Sequence, residues 1–144
     1  MLLESPPKLL VSGDLSHIRP PARQGDVGYD IAIADSYKVG RQIVYMHTGV
    51  FVKIPDGYWG RLCGRSSTLR NHGIAIVEGI IDTNYTGELL LAGYSVREGI
   101  KTEVWPGARL GQLIMFRSAI FPLEHVEKLP ETERGDKGFG STGT

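Results

Sequence analysis

Five short stretches of this 144-residue chain concentrate the residue types that do chemistry. They are Asp26-Val-Gly-Tyr-Asp30-Ile, Gly64-Arg65-Ser66-Ser67, Gly79-Ile-Ile81-Asp82-Thr-Asn-Tyr85-Thr-Gly87-Glu88, Gly107-Ala-Arg109-Leu-Gly-Gln112-Leu-Ile114 and Arg134-Gly-Asp-Lys-Gly-Phe139-Gly140-Ser141-Thr142-Gly143. The last carries its chemistry most openly. Phe139 offers a flat face for stacking, while the glycines, Ser141 and Thr142 offer backbone N–H and hydroxyl donors to phosphate. Taken singly, the other four could be decorated turns. Asp82 could bond its own backbone, and Tyr85 could be a half-buried strand residue. Arg65 could make a surface salt bridge, and Gln112 could be a strand-end amide.

Other chemistries find little support. Gly138-Phe139-Gly140-Ser141-Thr142-Gly143 matches the dinucleotide fingerprint in its letters, but that fingerprint needs a strand before it and a helix after it. The sequence runs out one residue later, so a dinucleotide site is not expected. The four histidines (His17, His47, His72, His125) show no metal-ligand spacing. The single cysteine, Cys63, cannot form an intrachain disulfide and reads as a buried, inert thiol or a reactive one. The Asn84-Tyr-Thr86 sequon and the Arg134-Gly-Asp136 tripeptide carry no meaning without a secretory route. The first residues, Met1-Leu-Leu-Glu-Ser-Pro-Pro, lack the basic end and apolar run of a signal peptide. A reducing, cytoplasmic or other intracellular compartment is therefore expected.

Composition sets the frame for these stretches. The chain has 16 Lys+Arg against 16 Asp+Glu, a formal net charge of zero. That balance argues against broad binding to nucleic acid or an anionic membrane, which needs a basic surplus. No stretch approaches the ~20 apolar residues of a membrane span. Glycine is the outlier, with 19 residues, nearly twice the usual ~7%.

The elements that must position the five stretches read as strands. Helical periodicity is nearly absent, and apolar residues come in short runs or in period two, bounded by Gly, Pro or Asp. Val50, Val52 and Ile54 alternate, and Pro55-Asp56-Gly57 then supplies a turn. Ile74–Val77 and Gly79–Ile81 read as buried strands, residues 76–92 as a hairpin, and Val104–Phe116 as strand, turn and strand. One short helix is expected around Ser67–Asn71, with a serine as its N-cap. Many short strands predict an all-β sandwich, jelly roll or distorted barrel. From Pro130 onward Phe139 is the lone apolar side chain among four glycines. Such a segment buries too little to offset its ordering entropy, so it reads either as a disordered tail or as a functional arm.

In this order and spacing, the five stretches closely resemble the motifs of the homotrimeric dUTP pyrophosphatase (dUTPase) family, from about Asp26 to the C-terminus. The resemblance implies a jelly-roll-like distorted β-barrel over residues 1–129 and a mobile arm over 130–144 that closes an active site. It implies three active sites at the subunit interfaces of a homotrimer. It also implies magnesium-dependent cleavage of dUTP to dUMP and pyrophosphate, which limits uracil in DNA and supplies dUMP for dTMP synthesis. By the same resemblance, Asp82 orients and deprotonates the attacking water. Tyr85 packs under the deoxyribose and leaves no room for a 2′-hydroxyl. The hairpin holding Gly79, Ile81 and Gly87 reads uracil through its backbone. Asp30 holds Mg2+ through its water shell. Arg65, Ser66, Ser67 and Gln112 bind phosphate, Arg134 clamps the γ-phosphate, Phe139 stacks on uracil, and Gly140, Ser141 and Thr142 complete the lid.

The chain departs from the family pattern at Val27, at Ser67-Thr68-Leu69, at Asn84, and at Ala108, where an acid usually precedes Arg109. Those changes touch local stability and affinity, and remove no group with a chemical role. A dCTP deaminase would share the Gly64-Arg65-Ser66-Ser67 turn, and Arg70 echoes a further arginine of it. That reaction needs a glutamate five residues beyond the hairpin glycine, where this chain has Ala92. A binding module that kept the fold and lost catalysis would be expected to lack Asp30, Asp82 or the arm, and all three are present.

Overall fold

The computed structural model describes residues 4–140, and almost all of its regular structure is strand. In chain order these are β1 (Leu10–Gly13), β2 (Ile18–Arg19), β3 (Gly28–Ala32), β4 (Tyr37–Val39), β5 (Val44–Lys53), β6 (Tyr58–Gly64), β7 (Ile74–Ile76), β8 (Gly79–Ile81), β9 (Glu88–Ser95), β10 (Thr102–Val104) and β11 (Arg109–Arg117). They form a four-stranded sheet β1-β5-β9-β7, a five-stranded sheet β2-β3-β11-β6-β8 and a β10-β4 pair, antiparallel throughout. Both larger sheets send side chains to one core, the first through Met46, Val50, Leu89 and Leu91, the second through Ile31, Leu62, Leu110 and Leu113. Period two explains the pattern: in β5, Met46, Thr48, Val50 and Val52 are buried and their neighbours are not. Thr48 is tolerated there because its hydroxyl donates to the Leu89 carbonyl at 2.6 Å and accepts from the Val50 N–H at 3.1 Å. The fold is the all-β, jelly-roll-like arrangement expected. No helix among the described residues is long and apolar enough to cross a membrane.

Two local expectations need correction. The hairpin over residues 76–92 exists only at its base, where Ile76 pairs with Gly93 and the Val77 N–H donates to the Ala92 carbonyl at 2.7 Å. Between them β8 crosses to the other sheet and pairs with Gly60–Leu62 of β6. Ile81, 9% exposed, is thereby inserted into the core, while Ile80 stays 58% exposed. The short helix is a π-helical turn, Thr68–His72, and Ser67 makes no capping bond. Thr68 instead is fully buried and donates to the Leu110 carbonyl at 2.7 Å, which ties the turn to β11.

After β11 the chain leaves the sheets. The Ser118 N–H still donates to the Gly57 carbonyl at 2.9 Å, but residues 119–140 add no strand. Ile120, Phe121 and Leu123 stand almost fully exposed along this segment.

Candidate functional site

Three segments distant in sequence meet at a polar cavity of about 480 Å³ whose lining includes Arg19, Asp30, Arg65, Ser66 and Gln112. Ladder register brings them together. Asp30 on β3 stands opposite Gln112 on β11, and Gln112 stands opposite Cys63 on β6. Arg65 and Ser66 follow directly where β6 ends at Gly64. The Gln112 amide donates to the Gly64 carbonyl at 3.0 Å, which fixes the chain just before Arg65. Gly28 makes room for it, because a Cβ there would lie 2.2 Å from the Gln112 amide oxygen.

Charge is organised around Asp30. Its Oδ1 lies 3.0 Å from Arg65 Nε and its Oδ2 2.8 Å from Arg19 Nη2. Arg65 also donates through Nη1 to the Arg109 carbonyl at 3.0 Å, so its fork is aimed before any ligand arrives. Arg109 itself reaches only the Ser16 carbonyl, at 3.5 Å, and its Nη1 is buried without a partner, in keeping with Ala108 preceding it in place of an acid. Ser67 is not part of the cavity lining.

A second concavity lies on the β8–β9 side, lined by Gly79, Ile80, Ile81 and Tyr85 with Leu62, Leu90 and Ala92 among others. The Tyr85 N–H donates to the Asp82 carbonyl at 3.1 Å, and its hydroxyl donates to the Glu88 carbonyl at 2.8 Å. The Tyr85 ring folds against Gly87, where a Cβ would come within 2.6 Å of the hydroxyl oxygen. Gly87 is thus explained by Tyr85, whereas Gly79 has only ordinary contacts at its Cβ position. Asp82 is exposed, and its carboxylate has no hydrogen-bond or ion-pair partner among the described residues. The bond from Asp82 to its own backbone, allowed by the sequence, is not made. Next to it, Thr83 is pinned by Lys53 Nζ at 2.8 Å and donates to the Ile54 carbonyl at 2.7 Å.

Sequence reasoning did not find the clasp that holds this side together. His47 Nδ1 lies 2.8 Å from Glu88 Oε1, and Glu88 Oε2 accepts the Thr48 and Gly49 N–H groups at 3.2 and 2.9 Å. The hydrogen bond and then the charge of Glu88 raise the His47 pKa above its ordinary value. Burial pushes Glu88 up, but His47 and the two backbone donors outweigh that and leave it below the usual carboxylate range. The signal was a histidine and a glutamate at a β-bulge, where ladder register shifts between His47 and Phe51. Arg19 was also missed. Its signal is an arginine placed before Pro20-Pro21 and hence held extended. Cys63 is half-buried, and burial raises its thiol pKa, which makes it a poor nucleophile.

The two concavities share no lining residue. The described C-terminal candidates, Arg134, Phe139 and Gly140, line neither. Arg134 bonds within its own turn, Nε donating to the Lys137 carbonyl at 2.5 Å. Phe139 is fully exposed and, at φ 47°, is the one non-glycine residue with positive φ among those described. Gly140 follows at φ 86°, and Ser141 and Thr142 lie outside the described residues. Among the described residues no three His, Cys, Asp or Glu side chains converge as a metal cage. Each Asp30 oxygen carries one guanidinium contact and keeps a lone pair, which suits hydrogen bonds from a metal's water shell and not direct ligation.

Comparison with known proteins converges on one family. The dUTPase family model matches residues 14–143. The deoxyuridine 5′-triphosphate nucleotidohydrolase of Paramecium bursaria Chlorella virus 1 is 34% identical over 140 residues, covering 94% of this chain and 97% of its own. That of Mus musculus is 36% identical over 117 residues, covering 81% and 72%. The solved dUTPase of Staphylococcus bacteriophage 80alpha with dUpNHpp superposes with a TM-score of 0.81 at 27% identity, over 95% of this chain and 99% of that one. This chain belongs to the dUTPase family.

Proposed function

We propose that this member of the dUTPase family is a dUTP diphosphatase, which hydrolyses dUTP to dUMP and pyrophosphate. The observation that carries the reading is the polar cavity where Asp30, Arg65, Ser66 and Gln112 meet, with Asp30, Arg65 and Gln112 already held by bonds to one another and to the backbone. A guanidinium fork, a hydroxyl and an amide in one place suit a chain of phosphates. Relatives named as deoxyuridine 5′-triphosphate nucleotidohydrolases, and a solved neighbour carrying dUpNHpp, support dUTP as the substrate.

In the mechanism, Asp82 is the base. Its carboxylate accepts a proton from a water that attacks the α-phosphorus in line, as the bond to the bridging oxygen breaks and pyrophosphate leaves. An exposed carboxylate without a competing partner suits that role, and the Lys53–Thr83 bonds hold the adjacent backbone. Tyr85 floors the deoxyribose and excludes a 2′-hydroxyl, while backbone groups of Gly79 and Ile81 read the uracil edge. Arg65, Ser66 and Gln112 hold phosphate oxygens, with Ser67 at their margin. Asp30 would hold a magnesium ion through its water shell, and the ion would supply neutralisation of phosphate charge.

The base-reading hairpin and the phosphate cavity lie in separate concavities of one chain, which supports a homotrimer whose sites join halves from different subunits. The exposed apolar side chains of Ile120, Phe121 and Leu123 support the same conclusion, since they need cover. Residues 130–144 act as the arm that closes each site: Arg134 on the γ-phosphate, Phe139 over uracil, and Gly140, Ser141 and Thr142 donating to phosphate oxygens. The product dUMP is a precursor of dTMP, and removal of dUTP keeps uracil out of DNA.

Hydrolysis in heavy-oxygen water tests the site of attack. The label enters dUMP if water attacks the α-phosphorus. Label confined to pyrophosphate would overturn the mechanism.

A further inference from the structure

The geometry points to Arg19 as a further phosphate ligand, preorganised by Asp30; the inference rests on the cavity being the triphosphate site. Arg19 precedes Pro20-Pro21, and a residue before proline is held in extended backbone. That places it on β2, directly opposite Asp30 on β3. From there its Nη2 reaches Asp30 Oδ2 at 2.8 Å, while Arg65 takes the other carboxylate oxygen. One carboxylate thus holds two guanidiniums side by side on the wall of one cavity.

The cavity lining carries three arginines, Arg19, Arg23 and Arg65, against two acids, Asp26 and Asp30, a local positive excess in a chain whose net charge is zero. A guanidinium has five N–H donors, and the Asp30 contact is the one bond the Arg19 side chain makes among the described residues. Its side chain is half-exposed and lines the cavity with Ser66 and Gln112. The remaining donors are free to meet phosphate oxygens while the Asp30 bond keeps the fork in place. Arg65 differs in being committed twice, to Asp30 and to the Arg109 carbonyl. Arg19 is therefore the less encumbered of the two cations, and the ligand class it serves is a polyphosphate.

Calorimetry with inorganic triphosphate, in the absence of divalent metal, reads this directly. Arg19→Gln should weaken binding about tenfold or more, the usual scale for a lost charge-assisted bond. Arg19→Lys should recover part of it, and Arg41→Gln, an exposed arginine paired with Glu98, should change nothing. Deoxyuridine, which has no phosphate, should bind Arg19→Gln as it binds the parent protein. The loss should persist when Arg19→Gln is made on Asp30→Asn, because a ligand still contacts phosphate without its anchor.

Unchanged triphosphate affinity, a parallel loss of deoxyuridine binding, or a loss that vanishes on Asp30→Asn would each overturn the assignment. So would a parent protein that does not bind inorganic triphosphate. The two readings fail separately. A parent that turns over dUTP with an indifferent Arg19→Gln sinks only this inference. A parent that binds triphosphate through Arg19 but leaves dUTP uncleaved sinks only the enzymatic reading.

Discussion

The phosphate cavity and the C-terminal segment both carry arginine and hydrogen-bond donors, yet they are built in opposite ways. In the cavity the main groups are held before a ligand arrives: Gln112 by ladders on both sides and by Gly64, Asp30 by Arg19 and Arg65. In residues 130–140 the contacts are local, with Arg134 bonding within its own turn and Phe139 fully exposed. Ordering costs about 1–2 kcal/mol per residue of backbone, so the first region meets a ligand at little entropic cost and the second must recover that cost from contacts made on closure. The difference suits the two jobs proposed for them: rigid groups to recognise and align the substrate, and the segment to commit it.

The largest effect expected comes from removing a preformed chemical group without touching the lid. Asp82→Asn should lower single-turnover rates about 10³-fold, the scale of a lost general base, while calorimetric dUTP affinity changes little. Equal losses in rate and affinity would make Asp82 a binding residue and collapse the distinction between aligning and reacting groups.

Removing the lid should do less chemistry damage and no structural damage. Truncation after Pro130 should lower turnover about 10²-fold through lost alignment and water exclusion. The thermal midpoint should stay where it was, because no described residue beyond 130 belongs to a ladder. A fall in the midpoint, or loss of assembly, would show that the segment is structural and not a lid.

The smallest effect tests how rigid the rigid side is. The Glu88 bond raises the His47 pKa, so its stabilisation is fully present below the ordinary value of 6.5 and is lost as pH rises through the raised value. Glu88, with its pKa lowered, contributes above the usual carboxylate range and loses that contribution as pH falls through the lowered value. Thermal midpoints should therefore drift downward above about pH 6.5, and His47→Gln should flatten that drift. An unchanged profile in His47→Gln would mean that the bulge stands without the clasp.

Much of this was legible in the residues, for identifiable reasons. The alternation in Val50 and Val52 and the turn at Pro55-Asp56-Gly57 marked β5 and its end because side chains carried the period. β6 was harder to read, since its inward positions include Gly60, where a Cβ would lie 2.8 Å from Ile54 and Leu113 side chains. Gly111 does the same for β11 beneath Leu91, at 2.5 Å. Some of the excess glycine is therefore core packing between sheets, which composition reads only as turns. At the site, Asp30, Arg65, Ser66 and Gln112 stood out by motif and the cavity brings them together. Arg19 and the His47–Glu88 clasp did not stand out, because each depends on strand register, between neighbouring β2 and β3 for Arg19 and between distant β5 and β9 for the clasp.

The central claim is that the preformed cavity and the Asp82 hairpin together make a dUTP diphosphatase. Pyrophosphate release by the purified protein with magnesium, measured in parallel on dUTP, dCTP, dTTP and UTP, tests it most directly. Rapid release from dUTP, and far slower release from the other three, is the predicted result. A folded, assembled protein that leaves dUTP intact, or that cleaves UTP or dCTP as readily, would contradict the account.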